Sequence, residues 1–249
     1  TCLKVDEVQS PRSAPALQGS RETGSDRFTL FGTHIKKGSQ TSVNLVPDAR
    51  DVEGILAQVG RARATAEVVV LSVHSHEPSN DSDEPAGVFE DFAPQAIDAG
   101  ASLVVGHGPH RLRGVEVYKG GAIVYSVGNF LYQPEGGQPS SADLYDSGID
   151  MYSLALGIPG RPAAGRLGVD TEEWWVGGVA VATFEAGVLR SLAMHPVDLG
   201  LDLPPSRRGI PRVPAPARAV RILEVLARLS QRYDTTVRIE NGVGIVGIK

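Results

Sequence analysis

A chain of 249 residues with a formal net charge of −5 is long enough to bury a sizeable core, but it lacks the positive charge of a nucleic-acid-binding protein. Its single cysteine, Cys2, excludes an internal disulfide framework and a cysteine-rich zinc module. No stretch approaches the roughly 18 consecutive apolar residues of a membrane-spanning helix, and no signal-peptide pattern is present.

The first third of the chain begins with an irregular segment and ends with one in which apolar residues recur at regular spacing. Residues 1–27 are rich in Ser, Pro, Gly and Arg and predict a poorly ordered arm. Residues 28–35 predict a strand interrupted by Gly32. Apolar side chains then recur at helical spacing over residues 51–63, which predicts the first helix.

A strand, a helix and a second strand follow within about 40 residues. The β-branched run at 67–74 is typical of a strand buried on both faces. Residues 88–99 predict a helix that Pro94 would kink or split, with Gly100 at its end. Residues 101–106 predict another buried strand. Such a βαβ unit predicts a parallel pair of strands.

Three hairpins, one helix and one long insertion complete the chain. The hairpins are predicted over 116–130, 176–195 and the last residues, with turns at Gly120–Gly121, Ala186–Gly187 and Asn241–Gly242, and the helix over 217–233. Residues 134–172 are rich in Gly, Pro and Ser without sustained periodicity. An insertion of that length predicts a substrate-covering lid.

Histidine is the residue type that points to chemistry. Four of the six histidines, His74, His76, His107 and His110, fall at the ends of the two predicted parallel strands. The carboxyl ends of parallel strands form the ligand-binding edge of an open α/β sheet. Imidazole is also a common ligand for zinc and manganese. We therefore expect a metal or catalytic site, although a single strand-end histidine is more often a partly buried polar residue.

Other polar segments have simpler interpretations. The acidic loop 77–84 contains candidate ligands, but a solvated loop is the favoured interpretation. Asn129 follows a glycine in what would otherwise be an ordinary turn. Arg207 and Arg208 form a pair of the kind that binds a carboxylate or phosphate, or else they belong to a solvated connector.

Several motifs occur together and in register over residues 67–133. The run VVVLSVHSHEP, followed by FAPQAIDAGASLVVGHGPHRLRGVEVYKGGAIVYSVGNFLYQ, resembles the CapA family of poly-γ-glutamate capsule-synthesis proteins. That family belongs with the calcineurin-like metallophosphatases. The resemblance implies an α/β fold of the four-layer αββα sandwich type, with residues 28–249 forming the carboxyl-terminal part of one such domain.

The sequence departs from the family pattern in three places. His74-Ser75-His76 stands where the family has His-Trp-Gly, and His107-Gly108-Pro109-His110 stands where the family has two adjacent histidines before the proline. The family's early ligands, an Asp on the first strand and a Gly-Asn-His motif, are not found in residues 1–66. We therefore expect this chain to be the carboxyl-terminal part of a longer protein.

The resemblance also implies roles for individual residues and a cofactor. The expected cofactor is one or two divalent ions, either manganese, zinc or calcium. The implied metal ligands are His74, His107 and His110, and Asn129 and Glu116 match recurring family positions near the site. As our own candidates, the catalytic residues are His74, His76 and Asn129, and the substrate-binding residues are Glu116, Arg207 and Arg208. His76 has no counterpart in the family.

These features predict a metal-dependent enzyme that acts on a peptide-like or poly-γ-glutamate substrate. Three alternatives stay open: a peptide α-carbon epimerase related to the one of lasso-peptide biosynthesis, a phosphoesterase, and a non-catalytic capsule-assembly factor. No nucleic-acid partner and no membrane segment are expected. The cytoplasm is the favoured location, with the cell surface as the alternative.

Overall fold

A computed structural model describes residues 4–8, 21–22, 27–30, 33–36, 43–133, 171–204 and 206–248. The insertion predicted over 134–172 lies outside the described residues except for its last two positions. Most of the arm predicted over 1–27 also lies outside them, and the described parts of that arm include two short strands.

Among the described residues, five short strands precede helix α1 (Ala49–Arg63). Strand β1 (Lys4–Val8) pairs antiparallel with β5 (Val43–Val46). Strands β2 (Arg21–Glu22), β3 (Arg27–Leu30) and β4 (Thr33–Lys36) form an antiparallel sheet of three strands. The single strand predicted over 28–35 is therefore two antiparallel strands, β3 and β4, and the interruption predicted at Gly32 lies outside the described residues.

Four strands form a mixed sheet that carries most of the predicted site. They are β6 (Val70–His74), β7 (Leu103–His107), β8 (Val115–Tyr118) and β9 (Gly121–Val124), in the order β6-β7-β9-β8. Strand β7 runs parallel to both β6 and β9, which confirms the predicted βαβ unit, whereas β8 runs antiparallel to β9. The turn between β8 and β9 lies at Lys119 and Gly120, both with positive φ, and not at Gly120–Gly121, because Gly121 already pairs with Tyr118.

Helices α1 (Ala49–Arg63) and α2 (Gly87–Asp98) cover one face of the mixed sheet. The side chain of Asp48 caps α1 by accepting from the Arg50 amide. Helix α2 is continuous through Pro94, so the predicted split is wrong. Proline removes one backbone hydrogen bond, and the buried face of α2, with Phe89 and Ile97 in the core, offsets that loss.

The other face of the mixed sheet packs on an antiparallel sheet. That sheet has the order β10-β11-β13-β12 and consists of β10 (Val176–Glu185), β11 (Val188–Asp198), β12 (Val237–Glu240) and β13 (Val243–Val246). Helix α3 (Pro216–Ser230) contributes to the same core. Buried side chains from all three elements meet in this layer: Leu103, Val115, Val124, Leu192, Met194, Leu223, Leu226 and Val246.

Two short 3₁₀ helices complete the described part of the chain. Residues Glu172–Trp175 lead directly into β10, and Gln231–Tyr233 follow α3. The α/β class predicted from the sequence is confirmed, with two helices, a mixed sheet and an antiparallel sheet as successive layers. In the described part of the chain, no helix is both long and apolar enough to cross a membrane.

Candidate functional site

The carboxyl ends of β6 and β7 place four histidines together. The parallel register sets His74 opposite His107, and their Nδ1 atoms lie 2.9 Å apart. The Nε2 atoms of His74 and His76 lie 3.0 Å apart, and the rings of His76 and His110 are 5.4 Å apart between centroids. All four histidines that the sequence singled out thus form one cluster, here called the histidine cluster.

In three of these rings, one nitrogen lies within hydrogen-bond distance of an oxygen atom. His107 Nε2 lies 2.8 Å from Ser72 Oγ, His76 Nδ1 lies 2.8 Å from Asn80 Oδ1, and His110 Nδ1 lies 2.9 Å from Asn129 Oδ1. Because an amide oxygen only accepts, His76 and His110 carry their hydrogen on Nδ1. Their Nε2 atoms are therefore the basic nitrogens of the neutral rings, as in imidazoles that bind metals or accept protons.

The electrostatics of His107 favour the neutral imidazole. Burial lowers the pKa of His107, and the neighbouring His74 lowers it further. A neutral ring has a free nitrogen lone pair, which a protonated ring lacks. The lowered pKa of His107 thus favours the neutral ring, which is the form that metal binding or proton acceptance requires.

His110 is fixed on a second side by the 3₁₀ helix that precedes β10. Its ring stacks on that of Trp174, with centroids 4.4 Å apart and planes 14° apart. Asn129 joins the two residues, since its Nδ2 donates to the Trp174 carbonyl oxygen at 2.8 Å. The sequence analysis did not identify Trp174, and the only signal was a pair of adjacent tryptophans in a chain with 6% aromatic residues.

Glu116 and the arginine pair lie apart from the cluster. Glu116 accepts from the Tyr125 hydroxyl at 2.7 Å on the helix-covered face of the mixed sheet, whereas His74 and His107 project from the opposite face. Arg208 lies over the ring of Trp175, 4.9 Å from its centroid, so it borders the aromatic residues behind His110. Arg207 is exposed.

Arginines surround the acidic loop between β6 and α2. Asp83 pairs with Arg111 at 2.6 Å and with Arg228 at 3.4 Å, and Glu84 pairs with Arg232 at 2.5 Å. These carboxylates are engaged by cations on the side of the loop that faces α3. The sequence analysis did not identify these arginines, because nothing in their spacing marks them.

A cleft of about 530 Å³ reaches the cluster between α1, α2 and β6. Ser72, His74 and Ser75 line one end of this cleft, and Asp48 and Asp51 contribute carboxylates from the start of α1. Apolar side chains from both helices form the remaining wall. Of the four histidines in the cluster, His74 is the one that lines this cleft.

The donor chemistry of the cluster suits a divalent ion. Imidazole nitrogens are good ligands for zinc and manganese, and an oxygen on the second ring nitrogen is the usual partner of a metal-bound histidine. His76, His107 and His110 all have that oxygen partner. Within the described ranges, no group of three or more His, Cys, Asp or Glu side chains has the arrangement needed to hold one ion. Metal binding therefore stays a prediction.

Comparisons with known proteins identify relatives for most of the chain. The profile of the family described as "Bacterial capsule synthesis protein PGA_cap" matches residues 9–134, which include the histidine cluster and Asn129. The protein y4sH of Sinorhizobium fredii, described as uncharacterized, is 34% identical over 254 residues, which cover 97% of this chain and 54% of that protein.

Two further relatives have names that state a process. The capsule biosynthesis protein CapA of Bacillus anthracis is 34% identical over 107 residues, or 41% of this chain and 24% of that protein. The PGA biosynthesis protein CapA of Bacillus subtilis is 38% identical over 82 residues, or 33% of this chain and 21% of that protein. The chain spans about half the length of the Sinorhizobium relative. None of the three names refers to a peptide epimerase, so that branch of the resemblance stays a prediction.

Proposed function

Because the chain belongs to the bacterial capsule synthesis protein family PGA_cap, we propose that it is a CapA-type enzyme that uses a divalent ion to act on a peptide-like or polyglutamate chain. The observation that carries this proposal is the set of three oxygen-held imidazoles at the carboxyl end of two parallel strands. The α/β layers accord with a metallophosphatase-like fold, and the full four-layer αββα sandwich is part of the proposal.

The four histidines have two tasks in this proposal, since three would hold the ion and one would accept a proton. His107, His110 and His74 would hold the ion, with Ser72 and Asn129 orienting the first two rings. A bound divalent ion polarises a carbonyl or phosphoryl oxygen and lowers the pKa of bound water. His76 accepts a proton at Nε2, because Asn80 keeps its Nδ1 protonated.

The proposed substrate follows from the relatives and from the surroundings of the cluster. The Bacillus subtilis relative is named for PGA biosynthesis, and an anionic polymer needs cations where it binds. Arg208 and the neighbouring Arg207 would supply positive charge beside the tryptophans that back His110. Glu116 is not part of this proposal, since its carboxylate lies on the opposite face of the mixed sheet.

The first test is the metal content of the purified protein after loading with Mn²⁺ and dialysis. We expect the wild-type chain to retain about one or two equivalents and His107→Ala to retain almost none while staying folded. His195→Ala is the matched control, because His195 is exposed on β11, far along the chain from the cluster. Full Mn²⁺ retention by folded His107→Ala would contradict the ligand assignment.

The second test is turnover by the loaded protein. Shortening of poly-γ-glutamate, measured by size-exclusion chromatography, would support the proposed reaction. Deuterium uptake from D₂O at peptide α-carbons would instead indicate an epimerase, and release of nitrophenol from a phosphoester would indicate a phosphoesterase. A folded protein that retains no metal and shows none of these activities would point to an assembly factor.

A further inference from the structure

The loop between β6 and α2 carries His76, and a buried arginine holds the backbone of that loop. The side chain of Arg113 donates to three carbonyl oxygens: to Glu77 at 2.8 Å, to Ser79 at 3.1 Å and to Ser82 at 3.3 Å. Arg113 is only 1% exposed. All three of these side-chain hydrogen bonds go to main-chain oxygens of this one loop, so the guanidinium of Arg113 stabilises the loop's conformation.

A second arginine holds the same loop beside the residue that contacts His76. Arg111 donates to the Asn80 carbonyl oxygen at 3.4 Å and to Asp83 Oδ1 at 2.6 Å. The side-chain oxygen of Asn80 in turn accepts from His76 Nδ1 at 2.8 Å. The contacts therefore run without a gap from the two arginines through the loop to the imidazole.

The position of these arginines in the chain connects the two halves of the histidine cluster. Arg111 follows His110 directly, and Arg113 comes two residues later, just before β8. The turn that carries His107 and His110 thus continues into the segment that holds the loop of His76. The two guanidinium groups therefore link the two histidine segments by hydrogen bonds.

The chemistry of the contacts explains why an arginine stands at position 113. Buried carbonyl oxygens need donors, and an unsatisfied one costs stability. A guanidinium presents five N–H groups in one plane and reaches several acceptors at once, whereas a lysine ammonium is a single point donor. Carbonyl oxygens of three different residues converge on this one side chain. A guanidinium can donate a hydrogen bond to each of them.

We propose that Arg113 is a positioning residue that fixes the loop of His76 and thereby sets the Nε2 atom of that ring within the histidine cluster. The importance of His76 rests on the proposed function, whereas the positioning of its ring does not. The inference therefore predicts a change at His76 when Arg113 is replaced, even in protein that contains no metal and no substrate.

The test determines the tautomer of the His76 ring by long-range ¹H–¹⁵N NMR of the metal-free protein. In the wild type we expect His76 as a single Nδ1–H tautomer. In Arg113→Lys, which keeps the charge but not the planar donors, we expect a mixture of tautomers at His76. His195, which is exposed on β11 and is not part of the histidine cluster, should keep its wild-type signals.

Two further variants define the result. Arg228→Met is the matched control, because Arg228 is 60% exposed and touches the loop only through Asp83; its His76 signals should match the wild type. Asn80→Ala removes the acceptor of His76 Nδ1 and should reproduce the tautomer mixture, so the last contact is tested even if a variant at position 113 fails to fold.

A wild-type His76 signal in folded Arg113→Lys would overturn the inference, since charge without the planar donors would then be enough. A mixture of tautomers in Arg113→Lys and in Asn80→Ala, but not in Arg228→Met, would support it. The Mn²⁺ content of the wild type tests the proposed function separately. Wild-type protein that binds no Mn²⁺ would contradict that function. It would not affect the conclusion that Arg113 positions the His76 ring.

Discussion

Asn129 shows how a single side chain links the histidine cluster to a neighbouring element. Both ends of its amide are engaged, since Oδ1 accepts from His110 and Nδ2 donates to the Trp174 carbonyl oxygen. Asn129 is also buried. The catalytic role that the sequence suggests for this residue stays a prediction, and its contacts place it as a hydrogen-bond partner of His110.

Replacing Asn129 by alanine should therefore weaken metal binding without removing a ligand. His110 would lose the oxygen that fixes its tautomer, and such losses reduce metal affinity about ten- to hundredfold. The measurement is a Mn²⁺ titration of Asn129→Ala, with Gln95→Ala as control, because Gln95 is an exposed amide on α2. Equal Mn²⁺ affinity in wild type and folded Asn129→Ala would show that His110 needs no such partner.

At the scale of whole elements, the antiparallel sheet supports the site through the start of β10. Gly177 forms a bridge with Gly128, and the Asn129 amide donates to the Val176 carbonyl oxygen at 3.3 Å. A Cβ atom added at Gly177 would lie 2.1 Å from the Asn129 carbonyl oxygen. The glycine is therefore needed for the close approach of β10 to the turn that carries Asn129.

Gly177→Ala should accordingly lower both stability and metal binding. Overpacking of this kind costs about 1–3 kcal/mol of the free energy of unfolding, and the displaced Asn129 would release His110. Urea unfolding and Mn²⁺ titration measure the two effects. The control is Gly54→Ala in α1, where no atom lies within 4 Å of the added Cβ, and its stability should rise by up to about 1 kcal/mol. Unchanged stability in Gly177→Ala would contradict the packing at β10.

The elements that the sequence predicted best are those whose apolar residues follow a regular period. The helices α1 and α3 follow such a period, and the structure confirms them. The continuously apolar run at 67–74 does form a strand, β6, but the predicted burial on both faces is wrong. Strand β6 lies at the edge of the mixed sheet, and Val70, Ser72 and His74 on one of its faces are exposed. Strand register is not encoded in such a period, so the sequence did not show that Glu116 faces the helices while His107 faces the antiparallel sheet. The buried Arg113 was missed because its acceptors are main-chain oxygens, which leave no pattern in the sequence.

At the scale of the whole molecule, two tyrosines connect the middle of the chain with its carboxyl-terminal part. The rings of Tyr125 and Tyr233 stack with centroids 4.7 Å apart. Tyr125 donates to Glu116 at 2.7 Å, and Tyr233 donates to Glu90 at 2.6 Å. The mixed sheet, α2 and the 3₁₀ helix after α3 therefore meet in one pair of rings.

This pair should make the protein sensitive to alkaline pH. Burial raises the pKa of both tyrosines above the ordinary value of 10.0, and the hydrogen bonds to Glu116 and Glu90 raise it further. A folded-state pKa above the unfolded value gives stability that is complete below pH 10 and is lost as the pH rises further. The free energy of unfolding should therefore fall above about pH 10.

Urea unfolding at a series of pH values from 8 to 11 measures this slope, and absorbance at 295 nm follows tyrosine ionisation in the same samples. Tyr233→Phe should make the slope shallower, because one of the two shifted hydroxyls is removed. Tyr118→Phe is the control, since the Tyr118 hydroxyl contacts Asp98 at 3.3 Å outside the stacked pair. An equal loss of stability above pH 10 in the wild type and in Tyr233→Phe would contradict this prediction. The alkaline sensitivity would then arise from groups other than the Tyr233 hydroxyl.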